Sequence, residues 1–410
     1  MLIELIIALI VGILIGTLTG LFPGIHINLV SAFLLSISPI LLTIFPPIAL
    51  VVFIVSLAIT HTFTDYVPSI FLGAPEETSF LSVLPGHKLL LQGKAYHALI
   101  YTLYGGLIAL PLTLILSPIF IFLLPIIYPY IIKIMALILI LFSLFMIITE
   151  KQINQIFTAL IIFILSGFLG IATLNLNINE PLLPLFTGLF GTSSLIITIN
   201  QKTKIPIQSI QKISQINLSK KSFLESTFIS ILVSPMTAFL PGLGASQAAT
   251  IGTILKEEKE ESQENEITFL FLIGIINILV MALSFIGLYS INKTRTGAAV
   301  AVQKLLPNLA QTDLLIILTT IIISGFFAFI LSINLGKIFA KNINKISYSK
   351  LSVFILLILI SATFIFSGFL GLLILITSTA LGITAILLEI KRTNLMGCLL
   401  VPTILFTCSD

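Results

Sequence analysis

The 410 residues contain no tryptophan, two cysteines, four histidines, and only 9% charged side chains. Each shortage closes off a class of function. Cys398 and Cys408 stand close together without CxxC or metal spacing, so disulfide, zinc and haem readings have no residues to use. A net charge of +4, scattered along the chain, is too weak for a nucleic-acid partner. A soluble domain would carry roughly 25% charged residues, and this chain falls far below that. No GxxxxGK[ST] stretch is present, so the chain itself does not hydrolyse ATP. No cofactor or metal is called for, apart from Na+ or H+ as a coupling ion. Without tryptophan, the interfacial belt falls to tyrosines such as Tyr66, Tyr128, Tyr130 and Tyr289.

What is abundant is apolar length. Hydrophobic residues make up 58% of the chain, and the mean hydropathy is +1.20. Apolar stretches fall near 2–21, 25–45, 47–63, 97–117, 119–148, 153–173, 181–199, 222–239, 242–255, 267–289, 312–334, 351–369, 371–388 and 395–407. Many have the roughly 17 to 25 residues that cross a bilayer. The expected fold is an all-α, multi-pass protein of the cell membrane. The opening "MLIELIIALIVGILIG" has neither the basic start nor the cleavage site of a signal peptide and reads as part of the fold.

Two halves emerge. The basic connection 200–221 carries Lys202, Lys204, Lys212, Lys220 and Lys221, and reads as cytoplasmic. It separates a first repeat, 1–199, from a second, 222–410. "LFPG" at 21–24 answers "FLPG" at 239–242, and "SGFLG" beginning at Ser166 answers the same five residues beginning at Ser367. Placing the basic clusters inside gives the halves opposite topology. The expectation is two inverted repeats, each a Pro-Gly-broken hairpin plus about five spanning helices. Lys133 fits this scheme poorly unless it snorkels or marks a break after Pro129.

The breaks carry the functional argument. A Pro-Gly pair in an apolar segment frees backbone groups that lipid cannot satisfy, so it survives only where it is buried in protein or lines a wet cavity. Matched breaks in two repeats point to a transport site near the midplane. The helix after each break offers free N–H groups and the positive end of its dipole to an anion. Candidate substrate-binding residues are Pro23, Gly24, His26 and Asn28 at the first break, and Pro241, Gly242, Gly244, Ser246 and Gln247 at the second. The stretch Lys293, Thr294, Arg295, Thr296 joins them. A simple kink is the competing reading of each break.

Asp65, Glu76, Glu77, Thr78 and Ser79 combine carboxylates with hydroxyls and could bind Na+ or carry a proton; a solvated loop is the alternative. Aligning Thr78 with Thr296 sets Glu77 opposite Arg295. His61, His87 and His97 read as interfacial residues.

"SIFLGAPEETSFLSVLPGHKLLLQGKAYHAL" at 69–99, "GLFPGIHIN", "FLPGLGASQAA" and "LLPLFTGLFGTSSLI" at 182–196 resemble, in order, motifs of the TctA family, the large membrane subunit of tripartite tricarboxylate transporters. The later half departs from the family pattern in "GIINILVMALSFIGLYSINKTRTGAA", with a lone Asn277 and a basic "KTRTG", and His26 is unusual. The resemblance implies secondary active uptake of an organic anion, with a small membrane subunit and an extracytoplasmic binding protein as partners beside the lipid. A permease coupled to Na+ or H+ is the leading reading. A translocase for an amphiphilic anion, such as a polyprenyl phosphate, is the second.

Overall fold

The computed structural model describes residues 2–22, 27–72, 83–150, 152–200, 205–210, 219–239, 244–245, 248–249, 252, 263–294, 296–345 and 348–409. Every regular element among the described residues is helical. In chain order they are α1 (Leu2–Leu21), α2 (Ile27–Leu41), α3 (Pro47–Thr64), α4 (Tyr66–Leu72), α5 (Val83–Leu91), α6 (Ala95–Lys133), α7 (Met135–Ile148), α8 (Ile153–Leu174) and α9 (Leu182–Phe186). A π-helical turn, Thr187–Thr192, leads from α9 into α10 (Ser193–Asn200). Then come α11 (Lys220–Phe239), α12 (Gln263–Ile291), α13 (Gly297–Leu305), α14 (Gln311–Asn342), α15 (Tyr348–Leu387), a 3-10 turn (Arg392–Met396) and α16 (Gly397–Ser409). Eight helical segments among the described residues are long and apolar enough to cross a membrane.

Two of these segments are central. The apolar window of α12 is 94% buried and that of α3–α4 is 83%, against 17% for α1. Small residues set the closest approaches. Gly12, Gly16 and Gly20 on α1 face Ser56, Thr60 and Thr64 on α3, and a Cβ at Gly16 would lie 2.6 Å from the Leu57 carbonyl oxygen. Without a hydrophobic force between helices in lipid, such backbone proximity supplies the attraction. On α11, Ser222, Ser226, Ser230 and Ser234 repeat the four-residue spacing, are buried, and belong to a helix packed on α12. The long helices then cross over between the halves: α6 packs on α12 and α14 packs on α3. Gly105 and Gly274 leave room for the first of these crossings, each lying against backbone of the other helix.

The sequence reading places two apolar stretches here, 97–117 and 119–148, parted at Pro118. The structure corrects this. α6 runs unbroken through Pro111, Pro118, Pro125 and Pro129. Pro118 cannot bond the Leu114 carbonyl, and Ser117 Oγ donates to that oxygen instead at 3.0 Å. Ser38 does the same beside Pro39, donating to Leu35 O at 2.8 Å. The break falls at Ile134, directly after Lys133, which is exposed. The span expected to end at 63 likewise continues through α4 to Leu72.

Near the C-terminus, Gly368 (φ 66, ψ −160) interrupts α15. Leu195 packs with Ile355 and Leu359, while a Cβ at Gly382 would meet Ser193. Residues well before and well after Gly368 therefore sit at one depth, and the chain folds back there, as the pair 351–369 and 371–388 predicts.

Three further contacts join loops that the lysine pattern puts on a common face. Gln208 of the 200–221 connection accepts from Ala95 N at 2.9 Å and donates to Leu90 O at 3.0 Å. Glu150 meets the turn after α15 through Lys391 N at 2.9 Å. Between turns that the same pattern puts on the other face, Ser367 Oγ donates to Glu180 O at 3.1 Å.

Candidate functional site

The polar centre of the molecule lies where α3 passes into α4. Asp65 keeps helical geometry there: its N–H donates to His61 O at 2.9 Å and its carbonyl accepts from Ser69 N at 3.1 Å. It is 1% exposed and His61 is 2% exposed, one turn away on the same face. Asp65 is thus placed inside a central span. His61, expected at the interface, is corrected to the interior: α3 is buried on all sides and its imidazole finds a partner on α1, with Thr19 Oγ1 3.0 Å from Nδ1. Thr64 Oγ1 donates to Thr60 O at 2.9 Å and to Gly16 O at 3.3 Å, tying α3 to the same part of α1.

Tyr66 is also corrected from interface to core. It is 1% exposed, its hydroxyl donates to Ile273 O at 3.3 Å, and it accepts a bond from Asn277 Nδ2. A buried phenol needs such partners. Ile273 and Asn277, both in α12, give them from the other half of the chain. Tyr130 and the partly covered Tyr128 and Tyr289 remain nearer the surface.

Of the first break, Pro23, Gly24 and His26 lie outside the described residues. Asn28 belongs to the first turn of α2, beside Ile27 and Ser31, which are buried. Of the second, Pro241, Gly242, Ser246 and Gln247 lie outside the described residues, while Gly244 accepts from Ala248 N at 3.2 Å. Glu76, Glu77, Thr78, Ser79 and Arg295 are also outside them, and with them the Glu77–Arg295 pairing. Lys293 is exposed and Thr294 partly covered. Thr296 caps α13, its Oγ1 accepting from Ala299 N at 3.4 Å, and α13 packs on α2 and α3. Gly287 links this turn to the end of α11: a Cβ there would lie 2.7 Å from the Phe239 ring and 3.1 Å from Lys293 O. The described flanks of the second break and of the basic turn are therefore neighbours.

A second polar cluster went unnoticed in the sequence because Lys391 and Arg392 read as a topology signal. Arg392 is 5% exposed. Its Nη2 donates to Leu189 O at 2.8 Å, Phe190 O at 2.6 Å and Ser193 Oγ at 3.1 Å, and Nη1 to Ser194 Oγ at 2.6 Å. Its guanidinium also sits 5.2 Å from the centre of the Phe190 ring. A π-helical turn displaces carbonyls from regular pairing, and the planar five-donor fork suits several acceptors at once. Nearby, Asn394 Nδ2 donates to Glu150 Oε1 at 2.7 Å, and Lys391 Nζ donates to Thr149 O. Among the described residues no three His, Cys, Asp or Glu side chains gather as a metal site.

The model of the tripartite tricarboxylate transporter TctA family matches residues 6–397. An uncharacterized protein of Methanocaldococcus jannaschii is 31% identical over 398 residues, covering 94% of each chain. No solved structure matches.

Proposed function

Because this chain belongs to the tripartite tricarboxylate transporter TctA family, and so is a multi-pass membrane component of a transporter rather than an enzyme, we propose that it is the permease of a cation-coupled secondary transporter for a carboxylate-type organic anion. The two halves, 1–199 and 222–410, are read as inverted repeats joined by the cytoplasmic connection 200–221. The reciprocal packing, α6 on α12 and α14 on α3, favours this reading, since a pseudo-twofold axis exchanges such contacts. The substrate site is read between the helix starts after Gly24 and Gly242, with Asn28, Gly244 and the Lys293–Thr296 turn at its edge. The observation that carries it is the packing of α13, capped by Thr296, on the helix that follows the first break. Asp65, with Glu76, Glu77, Thr78 and Ser79, is assigned to the coupling ion. The family's tripartite arrangement implies a small membrane subunit and an extracytoplasmic binding protein as partners.

One observation favours the second reading, an amphiphilic anion such as a polyprenyl phosphate. A groove of about 220 Å³ opens between α1, α2 and α3, lined by Ile7, Val11, Leu34, Phe45 and Phe53 with Glu4 at its rim. An apolar tail could lie there while its head group occupies the helix starts. Thermal stabilisation of the purified protein against a panel of di- and tricarboxylates and polyprenyl phosphates discriminates, because a ligand of the native state raises its apparent stability. Stabilisation by a carboxylate, with uptake of the same compound into vesicles, is expected. Stabilisation by the lipid phosphate alone transfers the site to the second reading, and no shift with any of them removes both.

A further inference from the structure

Whatever the cargo, we propose that the connection between the two halves is an anionic-lipid contact: a strap pinned at Gln208 that turns Ile207 and Ile210 to the adjoining leaflet and draws acidic headgroups to its lysines. The sequence already has the composition for it. No acidic residue stands between Glu180 and Glu225, while the connection 200–221 carries five lysines. Within it Ile207, Ile210, Ile213 and Ile216 recur at every third position. An apolar row among lysines suits a segment lying on a membrane surface, with side chains in the acyl boundary and ammonium groups among the phosphates.

Residues 205–210 show how the row is turned outward. Gln208, 5% exposed, puts its amide into the turn from α5 to α6, accepting from Ala95 N at 2.9 Å and donating to Leu90 O at 3.0 Å. Next to it Ser209 N donates to Gly93 O at 2.8 Å. Gly93 has a φ of 77°, and a Cβ there would lie 2.9 Å from Ile207 O, so glycine is what lets the strap approach. With Gln208 directed inward, Ile207 is left 80% exposed and Ile210 36%.

An isolated exposed isoleucine is ordinary; the depth of this one is what identifies its surroundings. Ala95, to which the strap is tied, opens a segment long and apolar enough to span the membrane, and Lys220, at the far end of the connection, opens another. On α11, Lys220, Leu224, Phe228 and Leu232 follow at four-residue spacing and all are exposed. The lysine thus stands at the end of an apolar stripe, where its ammonium reaches the headgroups. Part of the positive charge at this end is answered by protein, since Lys221 lies 3.8 Å from Glu225 and Lys88 2.5 Å from Glu266. The connection itself supplies no such carboxylate, and an anionic leaflet attracts a basic segment held within a Debye length of it.

The lack of tryptophan makes the test direct. Ile207→Trp gives the full chain a single indole, and Ile210→Trp serves as a second probe of the same row. Each variant is reconstituted in vesicles of equal parts phosphatidylcholine and phosphatidylglycerol, with bromine on the acyl chains of one lipid or of the other. Brominated chains should quench the indole, and brominated phosphatidylglycerol should quench about twofold more than brominated phosphatidylcholine, because the lysines enrich acidic headgroups around the strap. Salt at about 0.5 M should bring the ratio towards one, and Lys220→Gln with Lys221→Gln should lower it. Emission from both probes that neither brominated lipid quenches overturns the proposal and leaves the row to a protein partner. Equal quenching by the two lipids at low salt also overturns it, as does a preference that neither salt nor the lysine variant lowers. None of these outcomes bears on the transport reading, which ligand stabilisation and uptake decide.

Discussion

The Tyr66–Asn277 bond shows how much a single polar contact can matter inside this molecule. Both partners are buried, so Tyr66→Phe leaves the Asn277 amide short of an acceptor and should cost about 1–3 kcal/mol in thermal unfolding. Adding Asn277→Leu removes the stranded group and should recover most of that loss. A double variant no better than the single would mean that the hydroxyl acts through Ile273 O alone. Arg392 makes a different demand, because its fork serves three carbonyl or hydroxyl groups on one nitrogen and a fourth on the other. Lysine keeps the charge but cannot reproduce that geometry. Arg392→Lys should therefore lose about 3 kcal/mol, the worth of one or two charged hydrogen bonds. Neither feature was legible beforehand. Asn277 looked like an isolated polar residue and Arg392 like a flanking charge, since their partners lie hundreds of positions away in the chain. Asp65 stands out in the sequence as an acidic residue at the edge of a long apolar run, and what the structure adds is its burial inside that run.

At the scale of elements, composition located the helices and local chemistry decided where they end. Apolar length marked α1, α8, α11 and α12 closely. It misjudged α6, where proline argues for a break and Ser117 cancels the argument by bonding the freed carbonyl. Glycines govern how tightly elements meet, and their substitution separates rigid from yielding contacts. A Cβ at Gly105 meets Phe271 backbone, whereas one at Gly167 meets only the methyl groups and Cβ of Val401. Gly105→Ala should cost about 1–3 kcal/mol by overpacking, and Gly167→Ala less, both read from thermal denaturation in detergent. Equal losses would show that the α6–α12 crossing gives as easily as a side chain does.

At the scale of the whole molecule, sidedness is the testable property. Gln92 lies in the turn that meets the 200–221 connection, and Asn177 in the turn before Glu180; both are exposed. With Cys408, the exposed native thiol, replaced by serine, Gln92→Cys should react with a membrane-impermeant maleimide only from the cytoplasmic face. Asn177→Cys should react only from the outside. Labelling of both from one side would overturn the topology drawn from the lysines. That topology could be read at all because charge avoids the apolar core and collects in loops. The partnership of helices could not, because an apolar surface can be covered equally by protein or by lipid.

The exchange of partners between halves has a consequence for biogenesis. α3 carries His61 and Asp65 into the bilayer early, yet the helices that surround it include α12, complete only at Ile291, and α14, complete only at Asn342. Until then the polar turn of α3 has only α1 and its nearest neighbours for cover. The first half therefore cannot finish folding as it is made, and the insertion machinery has to shelter an incomplete bundle until most of the chain has been translated.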